Sequence, residues 1–513
     1  MFEPSNSSTF PAALAQGAAG AGSARSPWQL SLPLACGAAA YAFTLASGRR
    51  VLLDGDTLTH VSAGRWMLEH GAIPTQDPFL HPFPGSPWIP HEWLGQVVLA
   101  AAHDAGGFGA LMALTGLAFA LTMGLLARVL LRWLEPIYVL LFVTFSALMT
   151  AGHLLARPHM LAMPLVLWWT WELVRARADG GSPRLVALPV MVLWSNLHGS
   201  VTLGLFLAGA FAAEAVLHAP AGARRSTAVR WGRFVALAGV ASLLTPNGVE
   251  GPLSTWYLLA NMGYTLDRVG EWRSPDFHQP QLLEVWLLGA LGFAMMQGIR
   301  FPPMRVALVL LLVHFSLKYI RNVELLGLLG PVILAPALAR HRQHTRMEGA
   351  QLAPADRILG RLAAPAGRAA ATMTILALLI ATAVVDRMRP LEPPGPVEAL
   401  RAARAAQLSG PVLNSYAWGG YLTYVGIAPF IDGRADIYGD AHVREYVTVI
   451  EPPSAEAMHK VLDKHRIAWT LLEPRHAGGI ALLDLSPGWR RVYADQTAVV
   501  HARIQPLVPA TKP

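Results

Sequence analysis

"DGDTLTHVSAGRWMLEHGAIPTQDPF", residues 54–79, opens with two carboxylates separated by one glycine and lies just past an apolar run, Leu30–Ser47. Acids, a histidine and an arginine at that point mark where the chain leaves an apolar environment. Leu58, Val61 and Leu68 share one face at helical spacing, so Thr57–His70 is expected to form a helix along a membrane surface. In the plainest reading Asp56 is that helix's N-cap, bonding free amides of the first turn. No Glu or Gln completes a capping box. In the chemical reading Asp54 and Asp56 share a divalent cation such as Mg or Mn, or one acts as general base while the other orients it.

The surrounding composition supports a membrane setting. Of 513 residues, 53% are hydrophobic and only 14% charged, and the mean hydropathy is +0.39. A soluble domain carries about 25% charged residues. The net charge of +8 comes from arginines in short loops between apolar runs, which membrane topology explains better than nucleic-acid binding. No nucleic-acid-binding motif is present. A single cysteine, Cys36, excludes internal disulfides and cysteine-based metal sites.

A spanning helix needs about 20 apolar residues. Such stretches fall near 31–48, 108–132, 136–152, 158–176, 185–198, 201–218, 232–246, 282–299, 304–318, 322–339 and 369–386, which makes about 11 transmembrane helices. "HEWLGQVVLAAAH" (91–103) is too short to span and is expected at the interface. Arginines occupy alternate connections, among them Arg128 and Arg132, Arg175 to Arg184, and Arg224 to Arg233. The positive-inside rule then puts the N-terminus in the cytoplasm. Residues 1–28, rich in Ala, Gly and Ser, read as a disordered cytoplasmic tail, with Leu30–Ser47 a signal anchor. Residues 29–390 form the expected membrane domain, its first outer loop at 49–107, and 391–513 a small α/β domain on the outer side.

The polar motifs assigned to the outer side are chemically mixed. His60 stands one helical turn from Asp56 and could pair with it, and Arg65 follows. His91 and Glu92 return toward the membrane between Trp88 and Trp93 and could complete a metal set with Asp54 and Asp56. Arg157 and His159 flank Pro158 at a helix start, a position suited to phosphate. Lys318 and Arg321 add cations at another outer turn, and His198 lies in "SNLHGS". Each has a simpler reading: headgroup contacts for the lone cations, turn chemistry for the Asn, Gly and His positions. In the C-terminal part, strands are expected at 411–415, 428–434, 468–473 and 490–504, with helices at 418–426, 441–450 and 455–466. Asp432, Arg434 and Asp436 in "FIDGRADIYG" stand at the end of an expected strand, where α/β sheets often bind ligands; the simpler reading is a structural Asp–Arg pair holding a loop.

The 54–79 motif, the "HEWLG" return and the plan of residues 31–340 resemble the GT-C class of membrane glycosyltransferases. "WGGYL" and "FIDGRADIYG" extend that likeness to a group of large bacterial membrane proteins described only by an expected glycosyltransferase activity. The resemblance implies an inverting hexosyl- or pentosyltransferase in the bacterial cytoplasmic membrane. Its donor would be a polyprenyl-phosphate-linked sugar, and its acceptor a glycan, lipid or protein. It further implies Asp56, or alternatively Asp54, as base, Arg157, Lys318 and Arg321 around the lipid phosphate, and a divalent ion beside the acids. Many GT-C enzymes have adjacent acids where this chain has Asp-Gly-Asp, which leaves open which aspartate acts. Two alternatives stand beside it: a transporter or flippase of a lipid-linked glycan, and a non-catalytic scaffold using the outer α/β domain for binding.

Overall fold

The computed structural model describes residues 26–345, 356, 359–388 and 395–504. Most of the expected N-terminal tail, up to residue 25, and residues 391–394 and 505–513 of the expected C-terminal domain lie outside them. All eleven stretches expected to be helical form helices. α1 (Leu32–Ser47) starts at Ser31, whose side chain accepts from the Leu34 amide at 3.2 Å, with a proline in the first turn where its missing N–H costs nothing. α2 (Gly55–His70) follows, then α3 (Trp93–Leu130), 38 residues that bend at Gly106–Gly107. The stretch 91–103, expected to stay separate at the interface, is the first arm of this bent helix. Gly107 carries a φ of +61°, which lets the chain turn there without ending the helix.

The bundle continues with α4 (Pro136–Ala151), α5 (Pro158–Ala178), α6 (Ala187–Leu197), α7 (Val201–Leu217) and α8 (Arg224–Ser242). It closes with α9 (Glu250–Asn261), α10 (Leu282–Gln297), α11 (Pro303–Lys318), α12 (Val323–Thr345) and α13 (Arg368–Met388). Among the described residues, three segments are long and apolar enough to cross a membrane by themselves: α3, Ile320–Gln343 and α13. The other expected spans are shorter or less apolar. The 11 residues of α6 rise only about 16 Å, against a hydrocarbon core of about 30 Å. Large apolar side chains stay exposed along α10 and α13, including Leu288, Met295, Met296 and Ile380, as on surfaces that meet lipid or another protein. The core of the bundle holds Trp169, Trp194, Phe119 and Phe211, all fully buried.

α5 shows how charge is distributed along the bundle. Its N-terminus carries Arg157, and its other end, about 30 Å away, carries Arg175, which pairs with the buried Glu172 at 2.6 Å. Arg184 wraps the same carboxylate with its amide and its guanidinium. The arginine loop is thus tied down at one end of the helix, and the mixed polar set gathers at the other.

The C-terminal unit begins with α14 (Val397–Ala405), then β1 (Val412–Asn414), α15 (Gly419–Tyr424), α16 (Ala435–Ile450) and α17 (Ala455–Lys464). β2 (Trp469–Leu472), α18 (Ala477–Leu485), β3 (Trp489–Ala494) and β4 (Val499–Arg503) complete it. The sheet order is β1-β2-β4-β3, with β1 parallel to β2 and the other pairs antiparallel. Two expectations change here. The stretch 490–504 is a hairpin rather than one strand, because Asp495 accepts from the Thr497 and Ala498 amides at 2.7 Å and turns the chain. The stretch 428–434 is not a strand: the Asn414 side chain satisfies the Phe430 amide and the Ile431 carbonyl, replacing a strand partner. That frees Asp432–Arg434 to leave the sheet and reach Asp77, in the loop after α2.

The two parts interlock on α2. A Cβ on Gly420 would lie 1.9 Å from the Gly55 carbonyl oxygen, so only glycine lets α15 sit against the start of α2. His81 of the first loop bonds the Val412 carbonyl, and Arg434 joins Asp77 to Asp432 across the boundary. Asp77 and Asp432 are fully buried at the side chain. The expected Asp432–Arg434 pair is therefore present, and it also clamps the loop that carries Asp77.

Candidate active site

The first turn of α2 sets the positions of the two acids. Asp54, not Asp56, is the N-cap: its carboxylate accepts from the Thr57 amide at 3.1 Å and the Thr57 hydroxyl at 3.3 Å. The expected cap is displaced because the helix begins two residues earlier, at Gly55. Asp56 is left with its carboxylate turned toward a cavity, 21% exposed.

Arg157 precedes Pro158, which restricts it to extended backbone and aims its side chain back at α2. Its Nε and Nη2 donate to the two oxygens of Asp54. Nη2 also lies 3.1 Å from Asp56, and Nη1 donates to Glu271 at 3.0 Å. One guanidinium thus holds three carboxylates from two segments of the chain. Glu271, in the turn Gly270–Trp272, additionally accepts from Arg321 at 2.8 Å and meets His153 at 3.2 Å. The Arg321 guanidinium lies 4.5 Å over the Trp272 ring. His153 reaches Glu324 with its other nitrogen at 3.2 Å and stacks on His159 with ring centroids 4.4 Å apart. The His159 Nε2 donates to the His153 carbonyl at 3.1 Å.

A second group surrounds Glu92. His198 is 3.2 Å away, His60 3.8 Å and His91 3.9 Å. The His198 Nδ1 accepts from the Ser200 amide, so Nε2 carries the proton and faces Glu92 without the ring needing charge. The His60 Nδ1 accepts from Gln96 at 3.3 Å, so the expected His60–Asp56 pair does not form.

Local electrostatics separate these groups. Burial pushes Asp56 up to about 7, with Asp54, Glu271 and Asp432 adding in the same direction against Arg157. Burial opposes ionisation of Asp54 too, but its two-pronged bond to Arg157 holds it below the usual carboxylate range. His153 moves the other way: burial disfavours its charge, but Glu324 and Glu271 raise it to about 9. Burial keeps His198 neutral, at about 4. The outcome is one carboxyl poised near neutrality beside one fixed carboxylate.

Asp56, Arg157, His198, Glu271 and Glu324 border a cavity of about 390 Å³. Asp56, His60, Glu92, Arg157, His198 and Arg321 give one side its polar character, while Met163, Val166, Leu203, Leu312, Phe315 and Leu325 supply apolar surface. The C-terminal unit adds Gly433, Arg434 and Asp436. A Cβ on Gly433 would lie 1.7 Å from the Asp56 Oδ1, so the "FIDGR" backbone presses directly on that carboxyl.

Of the residues singled out in the sequence, Asp56, His60, His91, Glu92, Arg157, His159, His198 and Arg321 line this cavity, and Asp54 lies behind Arg157. Arg65 is elsewhere, paired with Asp104 at 2.6 Å. Lys318 is exposed, with its ammonium over the Tyr319 ring. The structure adds Glu324 and, from the turn Gly270–Trp272, Glu271, and it brings Asp436 of "FIDGRADIYG" to the same cavity.

The expected metal set of Asp54, Asp56, His91 and Glu92 does not converge. The two aspartates hold Arg157, and Glu92 faces histidines. Among the described residues, the His and acid groups with ligand atoms within 4.8 Å of one another are His153–His159–Glu324 and His442–Glu445–His465. In the first, both His153 nitrogens face carboxylates and the ring is charged at neutral pH, which suits a cation better than a ligand.

In fold the chain resembles solved structures of the GT-C class. In particular, the chain is similar to the archaeal oligosaccharyltransferase AglB from Archaeoglobus fulgidus, in complex with an inhibitory peptide and a dolichol-phosphate. The TM-score is 0.51 at 11% identity, over 93% of this chain and 74% of that one. It is also similar to ArnT from Cupriavidus metallidurans bound to undecaprenyl phosphate, with a TM-score of 0.46 at 15% identity, over 94% and 99% of the two chains. No protein-family model and no curated protein matches the sequence.

Proposed function

We propose that the protein transfers a sugar from a polyprenyl-phosphate donor to an acceptor hydroxyl at the outer face of the bacterial cytoplasmic membrane. The observation that carries this reading is the cavity itself. It sets apolar side chains beside an acid–cation cluster and so suits a molecule with a hydrocarbon tail and a charged head. In this reading Asp56 removes the acceptor proton. The acceptor oxygen bonds to the anomeric carbon as the carbon–oxygen bond to the lipid phosphate breaks, with inversion. The departing phosphate takes the electron pair and is met by Arg321. Arg157 fixes the acids and does not reach the phosphate, and Lys318 and Arg65 take no part. The eleven-crossing topology, with the C-terminal unit outside, belongs to the same proposal. It places the cavity where a lipid tail enters sideways between helices.

The test is a single-turnover assay in nanodiscs with a panel of radiolabelled polyprenyl-phosphate sugars. Transfer from at least one donor is expected. Stoichiometric donor binding with no turnover across the panel and a range of acceptors would favour transport and overturn the reading.

A further inference from the structure

Three carboxylates in hydrogen-bonding reach of one group, beside a cavity that two of them line, is an arrangement that ordinarily calls for a divalent ion. Here the group is Arg157. Both oxygens of Asp54 are engaged by its Nε and Nη2, and Asp54 also receives the Thr57 amide. Asp56 and Glu271 complete the ring at 3.1 and 3.0 Å. A guanidinium has five donors in a rigid plane and stays charged at any working pH, so it reaches both oxygens of Asp54 and one oxygen each of Asp56 and Glu271. An ion would first have to expel it.

We propose that Arg157 is the site's built-in cation, standing where a divalent ion would otherwise join Asp54, Asp56 and Glu271, so that the reaction needs no metal. This rests on the glycosyl-transfer reading. One consequence is chemical. A divalent ion bonded to Asp56 would pin it as an ionised ligand and remove its basicity, whereas a single guanidinium charge shared among three acids leaves it able to take up a proton. The pairs continue outward in the same way: Arg321 and His153 both meet Glu271, and His153 meets Glu324. Every carboxylate of this ring is thereby answered by an organic cation.

The experiment uses the full chain in nanodiscs. Mn²⁺ is titrated and followed by electron paramagnetic resonance, and transfer is measured with and without EDTA. Wild type is expected to show no saturable Mn²⁺ site and equal transfer under both conditions. Arg157→Ala should gain one Mn²⁺ site, and adding Asp54→Asn should remove it. One tight Mn²⁺ in wild type, with transfer lost in EDTA and restored by Mn²⁺, would overturn the proposal while leaving the glycosyl-transfer reading intact. A folded Arg157→Ala that binds no Mn²⁺ would also count against it. If Arg157→Ala does not fold, the wild-type measurements decide alone. If no donor is turned over, the functional reading fails and the Mn²⁺ titration still decides the identity of the cation.

Discussion

Gly433→Ala is a one-carbon change that tests the geometry of Asp56 without touching its chemistry. The added Cβ would stand 1.7 Å from the Asp56 Oδ1, where ordinary contact begins at 3.4 Å. Gly433 is not in left-handed backbone, so alanine fits the local conformation and the conflict is confined to the carboxyl. Either the Asp56 carboxyl or the "FIDGR" loop must retreat by well over an ångström. A displacement of that size at a reacting group costs about 10²-fold in rate. The assay is single-turnover transfer at saturating donor, with thermal stability measured alongside. A kcat about 10²-fold lower with the melting temperature nearly unchanged is expected. Wild-type turnover in a folded Gly433→Ala protein would refute the placement of Asp56 as base.

Further outcomes follow from the same structure. Transfer should rise about tenfold per pH unit below 7 and level off above it, because Asp56 must be deprotonated to act and titrates at about 7; a flat profile from pH 5 to 8 contradicts the assignment. Asp54 has a lowered pKa in the fold, so its contribution to stability is complete above the unfolded carboxylate value of about 4 and is lost as pH falls through the depressed folded value, which thermal melts of Asp54→Asn against wild type down the acid range will read. Arg434→Ala leaves Asp77 and Asp432 buried without their partner and should cost about 3–5 kcal/mol, measured by denaturant unfolding. Arg65→Ala removes an ion pair that is about one-third exposed; it should cost under about 1 kcal/mol and leave transfer unchanged.

How much could be read in advance follows from the range of the interactions. Hydrophobic runs are local, so each expected helix formed, and the clustering of His60, Glu92, Arg157, His198 and Arg321 followed from alternating loops. Capping depends on where a helix starts, so a two-residue offset exchanged the roles of Asp54 and Asp56. Arg157 was legible as a cation at a helix start, but its partners were not. It meets Asp54 103 positions away and Glu271 114 positions away, and no local pattern signals such pairing. The same holds for Asn414, whose side chain took the hydrogen bonds that residues 428–434 would have made as a strand. In "AGGIALLDL" two glycines concealed α18, which uses Gly479 to pack on the Val449 carbonyl.

The most direct measurement is the chemical step itself in Asp56→Asn, an isosteric change that keeps the cavity and the Arg157 contact but removes the base. With donor bound, the single-turnover rate should fall by about 10²–10⁴-fold, with donor affinity and melting temperature close to wild type. A folded, donor-binding Asp56→Asn protein that transfers sugar at the wild-type rate would contradict the central claim that this carboxyl, pressed against the Gly433 backbone, activates the acceptor.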